Sequence, residues 1–496
     1  MRLPPRPQAG VLGSFGMGSL SNRRSFPRKR ESSPLTAHFR RFSEWIPAFA
    51  GMTATCRAHL PKMPPVVKPA YPRLPSQCYA MITASPVACS QEVLALFDHI
   101  RIEGFRSFKK VELDLPPLSV LIGPNNGGKS NLLDLMFLMC EAGQGQLEKG
   151  IDSRGGFASV AFGFDYGGRI LAEFRFQGKG LAGGFPDMFL RKDKPDVLFK
   201  VGLEFGIPRG FVWVEELTEE PTAERPQPVV LIERSSEGCV FRSVGADKKE
   251  ETEERKAVES RSELAIFQVK DLDRYPTAYL LLRQFQAWTL YRDFNVGPEA
   301  PIRLPGLVRP TVRLSADGGN LTSVLNSIQQ MHPDIWDEIL DILRTAYPDF
   351  KTITFFPEGG DGKVMLRWWE PPYEKGGVSA NFLSDGTLKF LCLVAILMSP
   401  DPPPLICIDE PELGLHPDWV EIVAELMQSA AARTQLIVAT HSPQIVAKLD
   451  PEQVIVTEKE NGETHLRRLE RRELEKWLNE FNLSDLWLAG EFGGRP

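Results

Sequence analysis

Between Gly123 and Ser130 the chain reads Gly-Pro-Asn-Asn-Gly-Gly-Lys-Ser, with the apolar run Leu118 to Ile122 before it and an amphipathic stretch, Leu132 to Cys140, after it. The spacing GxxxxGK[ST] is that of a phosphate-binding loop, and each residue type in it has a physical task. Gly123, Gly127 and Gly128, with Pro124, Asn125 and Asn126 between them, let backbone N–H groups turn inward on an anion. Lys129 supplies a point charge for the β- and γ-phosphates, and the Ser130 hydroxyl is a ligand for magnesium. Asn131 opens the helix whose positive end lies under the anion. The chemistry implied is capture of a nucleoside triphosphate, ATP, together with Mg2+.

A second set of residues lies far downstream. Leu405-Ile-Cys-Ile runs into Asp409-Glu410, an apolar strand that ends in a carboxylate. Alone, such a run is an ordinary strand end. Downstream of a complete phosphate loop it reads as a Walker B strand, which brings Asp409 to the magnesium at the carboxyl edge of a sheet and leaves Glu410 to polarise an attacking water. Gln435 to Ala439 forms the next apolar strand and ends in Thr440-His441-Ser442, which places His441 as a sensor of the γ-phosphate.

The elements that must carry these residues follow from periodicity. Alternation of apolar and polar residues predicts strands from Ile100, over Val111 to Leu115, and over Ile170 to Phe176, with Val160 to Phe164 as a further strand. Amphipathic spacing predicts helices over Leu321 to Gln330, Asp334 to Tyr347 and Asp418 to Ala431, and a strongly apolar helix over Leu388 to Met398 opened by Ser384-Asp-Gly-Thr387. Two strands flank the turn at Gly359 to Gly362. The charged run Asp247 to Lys256 reads as a solvated linker or exposed helix tip.

Composition bounds the rest. The chain has 496 residues, 42% hydrophobic and 25% charged, enough for a large core, and no apolar run reaches the ~20 residues of a membrane span. A cytoplasmic protein with no membrane partner is expected. Its seven cysteines form no CxxC or Cys/His cluster, so neither structural zinc nor a disulfide framework is expected, and Cys140 and Cys407 sit in stretches that should be buried. The net charge of −6 is uneven: residues 1–80 carry thirteen Lys/Arg against Glu31 and Glu44, a surplus of eleven that leaves residues 81–496 near −17. An acidic body disfavours a broadly basic nucleic-acid surface, although a local basic groove is compatible with it.

Residues 1–80 are rich in Pro, Arg and Ser and should form no core. Arg24 to Ser33 and Trp45 to Thr53 resemble the translated product of a dispersed bacterial intergenic repeat, which would put the natural start at Met81 or Met63.

The order of phosphate loop, Leu383-Ser-Asp-Gly-Thr387, Asp409-Glu-Pro-Glu-Leu-Gly-Leu-His-Pro417 and Thr440-His-Ser-Pro443 resembles the ATPase heads of the ABC/SMC class, and most closely the RecF-like and OLD-like AAA-type ATPases of bacteria. The resemblance implies an α/β P-loop NTPase head with a mixed sheet and flanking helices. Its halves would be residues 98–190 and 312–496, with residues 191–311 as an inserted α+β segment. It also implies that Ser384 and Gly386 belong to a signature motif touching the γ-phosphate of a nucleotide held by another subunit, hence a homodimer with sandwiched ATP. Asp385 and Thr387 stand where transporter ATPases carry Gly and Gln, which resembles the non-transport branch. The turn Arg106-Ser-Phe108 is similar to a segment that approaches nucleotide in some relatives, and an arginine in such a turn is equally often solvated. No glutamine is assigned to a Q-loop, and too little chain follows His441 for a Toprim nuclease domain. Two roles are consistent with such a head: DNA repair or another DNA transaction, or an ATPase switch that controls a separate effector protein in a phage-defence or toxin system.

Overall fold

A computed structural model describes residues 96–493, apart from 166, 182–193, 206–209, 236–237, 245–250, 257–260, 359, 361, 374 and 479–480. The expected N-terminal extension, 1–80, lies outside the described residues.

In chain order, β1 (Phe97–Phe105), β2 (Phe108–Asp114) and β3 (Leu118–Ile122) lead into α1 (Lys129–Gly143), and β4 (Arg169–Phe176), β5 (Val197–Phe205), β6 (Gly210–Glu219), β7 (Val229–Ser235), β8 (Gly238–Val244) and β9 (Glu251–Lys256) follow. Next come α2 (Pro276–Ala287), β10 (Thr289–Tyr291), β11 (Gly306–Leu307), α3 (Leu321–Met331), α4 (Pro333–Ala346), β12 (Thr352–Pro357), β13 (Lys363–Trp369) and β14 (Val378–Ser379). The last part holds α5 (Asp385–Leu397), β15 (Leu405–Asp409), α6 (Pro417–Ala430), β16 (Gln435–Ala439), β17 (Val454–Glu460) and β18 (Glu463–Arg468).

The site sits on a six-stranded sheet ordered β10-β15-β16-β3-β17-β18, in which every neighbouring pair is parallel except β17 with β18. All five residues of β3, β15 and β16 are buried. That is why these strands read as unbroken apolar runs: alternate side chains enter two different cores. Leu405 and Cys407 pack into one, Ile406 and Ile408 into the other. The carboxyl ends of β3, β15 and β16 therefore meet at one edge, where a ligand binds in open α/β sheets.

A second, antiparallel sheet is ordered β2-β1-β4-β5-β6-β7-β8-β9. Its strands alternate, as a half-buried sheet requires; β2 shows buried residues at Phe108, Val111 and Leu113 with charged ones between. Phe97, Phe174, Phe176, Phe199 and Phe285 form an aromatic cluster under it with Trp288, whose ring centroid is 4.9 Å from that of Phe285. Trp288 is the last residue before β10, so this cluster anchors the edge strand of the site's sheet. A small third sheet, β11-β13-β12 with β14 on β13, packs near α3.

Within the segment 191–311, β5 to β9 extend the sheet begun by β1 and β4, and β10 joins the site's sheet beside β15. Two expectations change. Val160 to Phe164 is no strand: a short helix ends at Val160, and Gly163 (φ 69°) and Phe164 (φ 57°) turn the chain left-handed. The charged run ends in a strand, β9, whose Glu253 and Glu254 pair with Arg242 and Arg274. Its charged side chains suit a sheet edge, where they deter further pairing. The helices and the remaining strands lie within a few residues of their sequence limits.

Candidate nucleotide-binding site

The phosphate loop turns from β3 into α1, with Gly128 at φ 103° immediately before the helix. A Cβ there would lie 2.5 Å from Thr464 Oγ1, so only glycine fits both the backbone angle and the space. Thr457 Oγ1 donates to Ile122 O at 2.9 Å and Thr464 Oγ1 donates to Gly127 O at 2.9 Å. Asn131 Nδ2 donates to Ser107 Oγ at 2.7 Å, and Ser107 Oγ lies 2.7 Å from Thr464 Oγ1. Because the single Thr464 proton goes to Gly127 O, the Ser107 hydroxyl must donate to Thr464. The chain Asn131, Ser107, Thr464, Gly127 thus runs in one direction and fixes the loop from behind. Asn131 braces the loop through its side chain.

Lys129 is buried and donates to Gly123 O at 2.9 Å and Pro124 O at 3.0 Å. Burial lowers its pKa to about 8, against the opposing pull of Glu410, Asp409 and Glu412. An ammonium held in this way by its own loop is poorly solvated and gains from a phosphate.

Asp409, at the end of β15, stands between two groups. Its Oδ1 accepts from Ser130 Oγ at 3.3 Å, and its Oδ2 lies 3.1 Å from Arg292 Nε. Glu410 follows with φ 52°, a left-handed angle unusual for glutamate, and its N–H donates to Ala439 O at 2.8 Å. That bond ties the ends of β15 and β16 together and aims Glu410 away from the strand direction. His441 follows β16; its backbone N–H donates to Glu412 Oε1 at 2.7 Å. Burial and the Lys129 charge hold the His441 imidazole below its ordinary pKa, and burial raises that of Glu412. A neutral imidazole next to Lys129 can accept or donate a hydrogen bond without adding charge.

Lys129, Ser130, Asp409, Glu410 and His441 are thus assembled at one sheet edge. Residues 118–447 match the family model described as "AAA domain, putative AbiEii toxin, Type IV TA system". The chain belongs to this AAA family. Among solved structures, it is similar to the SMC head domain from Thermotoga maritima, with 14% identity, 75% of this chain and 99% of that one covered, and a TM-score of 0.36. It is similar also to the Smc head domain with an extended coiled coil bound to the C-terminal domain of ScpA from Pyrococcus furiosus, with 14% identity, coverage of 78% and 99%, and a TM-score of 0.47. No curated protein gives a significant match. In this AAA protein the phosphate loop, the Walker B strand and the histidine strand are adjacent in one α/β sheet.

The signature residues of the AAA protein lie in a different setting. Ser384 caps α5, its Oγ accepting from Thr387 N at 3.1 Å. The buried Arg303 holds the preceding turn, donating to the carbonyls of Ala380, Asn381 and Leu383 and ion-pairing with Asp385. Among the described residues no hydrogen bond joins Ser384 to Thr387 with the phosphate loop. Gly386 instead touches the loop after the Walker B strand: a Cβ on it would lie 2.7 Å from Gly414 O. Gly386→Ala is therefore expected to displace this loop at a cost of about 1–3 kcal/mol, seen as a lowered thermal midpoint, while leaving nucleotide binding by the single chain intact.

Arg106, in the turn between β1 and β2, ion-pairs with Asp134 on α1, where Arg154 Nε also donates at 2.9 Å. Its side chain is 30% exposed and is engaged by Asp134. Arg292, Thr457 and Thr464 are site residues that sequence motifs do not single out, while Glu412 and Ser107 lie within quoted motifs that give them no role. Only the three-residue apolar edge strand before Arg292 offered a signal, and a weak one.

Whether a magnesium ion suits this site is a question of donor chemistry. Ser130 Oγ and Asp409 Oδ1 are hard oxygens side by side, and Arg292 already places a cation on the same carboxylate. Among the described residues no cluster of three His, Cys, Asp or Glu side chains could hold a metal alone. Magnesium fits such a place, since it is commonly held by one or two protein oxygens together with substrate phosphates and water.

Proposed function

We propose that this protein is a magnesium-dependent ATPase that acts as an ATP-gated homodimer. The observation that carries the reading is the division of its motifs. Lys129, Ser130, Asp409, Glu410 and His441 converge, while Ser384 and Gly386 are rigidly presented elsewhere beside two exposed apolar side chains, Phe382 (81%) and Leu413 (52%). Exposed apolar groups flanking a capped, buried-arginine-braced turn are what a protein contact would cover. An isologous dimer in which each signature completes the other chain's site satisfies both halves at once.

In this reading Lys129 trades its own loop carbonyls for the β- and γ-phosphates, and loop amides surround them. Ser130 and Asp409 hold the magnesium, which supplies charge stabilisation to the phosphates. Glu410 orients and polarises the attacking water, and neutral His441 senses the γ-phosphate by hydrogen bonding. ATP stabilises the dimer to the extent that it binds the closed state more tightly than the open one.

The output of such a cycle has two readings. Action on DNA, in repair or another DNA transaction, agrees with the motif order that resembles RecF-like and SMC heads. Control of a separate effector in a toxin or phage-defence system is favoured by the family's description and by the acidic balance of residues 81–496. No helix among the described residues is long and apolar enough to cross a membrane. Steady-state hydrolysis measured against protein concentration, with and without duplex DNA and with Glu410→Gln as the blank, separates them. Turnover per chain should rise as dimers form. Stimulation by DNA selects the DNA reading, and indifference to DNA selects the effector switch. Turnover per chain independent of concentration would overturn the dimer.

A further inference from the structure

The site contains a cation that its motifs do not specify. β10 pairs in parallel with β15, and its last residue, Tyr291, lies opposite Ile408. The next step of the ladder brings Arg292 beside Asp409, with Nε 3.1 Å from Oδ2. The Asp409 side chain is 10% exposed and the Arg292 side chain 45%. One partner is fixed in the sheet; the other has room to leave.

The backbone behind Arg292 is immobilised. Trp288 sits in the aromatic cluster, the buried Tyr291 hydroxyl donates to Leu314 O at 2.9 Å, and Asn295 N donates to Asp317 O at 2.9 Å. Movement at this position is therefore movement of the arginine side chain alone.

A divalent cation bound to Asp409 and a guanidinium in direct contact with the same carboxylate repel each other at short range. The phosphate tail that arrives with the metal is the compensating anion, and a guanidinium is shaped for it. We propose that Arg292 is a positioning residue that neutralises Asp409 before the metal binds and transfers to the phosphates when metal and nucleotide are both present. It thereby couples the two binding events. This rests on the nucleotide reading above.

A transfer predicts effects of opposite sign in two binding measurements, neither of which depends on turnover. Mn2+ is titrated onto the nucleotide-free protein and followed by the electron paramagnetic resonance of the free ion. Separately, a fluorescent β,γ-imido ATP analogue is titrated at saturating Mn2+. In Arg292→Ala, Mn2+ should bind about tenfold more tightly, because a competing cation is gone, and the analogue about tenfold more weakly, because a phosphate partner is gone. Arg292→Lys, which keeps the charge, should lie near the parent in both. Unchanged or weaker Mn2+ binding by Arg292→Ala overturns the proposal, as does unchanged analogue affinity. A merely structural role would weaken both measurements together. Failure of the parent to bind the analogue would instead overturn the nucleotide reading, and this proposal with it.

Discussion

Glu410→Gln is expected to cut ATP hydrolysis by about 10²- to 10⁴-fold while leaving ATP binding intact. The magnitude follows from what the substitution removes. Glutamine preserves the shape of the side chain and its hydrogen-bonding capacity but cannot take a proton from water. The unusual backbone at φ 52° and the bond from Glu410 N to Ala439 O are independent of the side-chain charge, so the ends of β15 and β16 should stay tied. The consequence is a separation of binding from chemistry. With hydrolysis blocked, ATP remains in the site, and the dimer should accumulate in sedimentation velocity at concentrations where the parent cycles back to monomer. Turnover equal to that of the parent would remove Glu410 from the catalytic role. A nucleotide-bound monomer would remove the dimer instead.

Which parts of this site the sequence discloses depends on where the constraint acts. Phosphate-loop glycines and the carboxylate after an apolar strand are local: the turn that needs Gly128 and the strand that delivers Asp409 each lie within a few residues, so spacing alone reveals them. The Ser384 cap is equally local, three residues from the N–H that it accepts. Arg292 is not. Its partner is 117 residues away, and the strand that aligns the two is three residues long, held in the sheet by an aromatic cluster rather than by its own propensity. The same holds for Thr457 and Thr464, which brace the phosphate loop from strands more than three hundred residues downstream. In β9 local signal misled: six charged and polar residues favour solvent in isolation, yet the ladder with β8, with Glu253 paired across it to Arg242, and the contact of Glu254 with Arg274 in a neighbouring turn make them a sheet edge. Phe162-Gly-Phe164 misled in the other direction. Aromatic residues suggest a strand, and the left-handed angles at Gly163 and Phe164 forbid it.

Lys129→Ala is expected to weaken ATP and ADP binding by on the order of 100-fold, the loss of a charge-assisted contact of about 3 kcal/mol. Its pH dependence identifies the residue responsible. Without nucleotide, burial lowers the pKa of Lys129 to about 8, while a bound phosphate tail stabilises the ammonium and raises that value. The bound state then holds a proton that the free state releases above pH 8. Affinity in the parent should accordingly be constant below the free-state pKa and fall by up to about tenfold per pH unit above it, until the bound-state pKa is reached. The phosphates are fully ionised throughout this range, so they contribute no slope of their own. Lys129→Ala has no such proton to lose, and its weak residual affinity should be flat over the same interval. Isothermal titration with ADP in two buffers of different ionisation enthalpy measures the proton uptake directly. Uptake near zero in the parent above pH 8 would show that the lysine does not reach the phosphates. A slope surviving in Lys129→Ala would assign the linkage to another group, of which Glu412 and His441 are the titratable neighbours across the site.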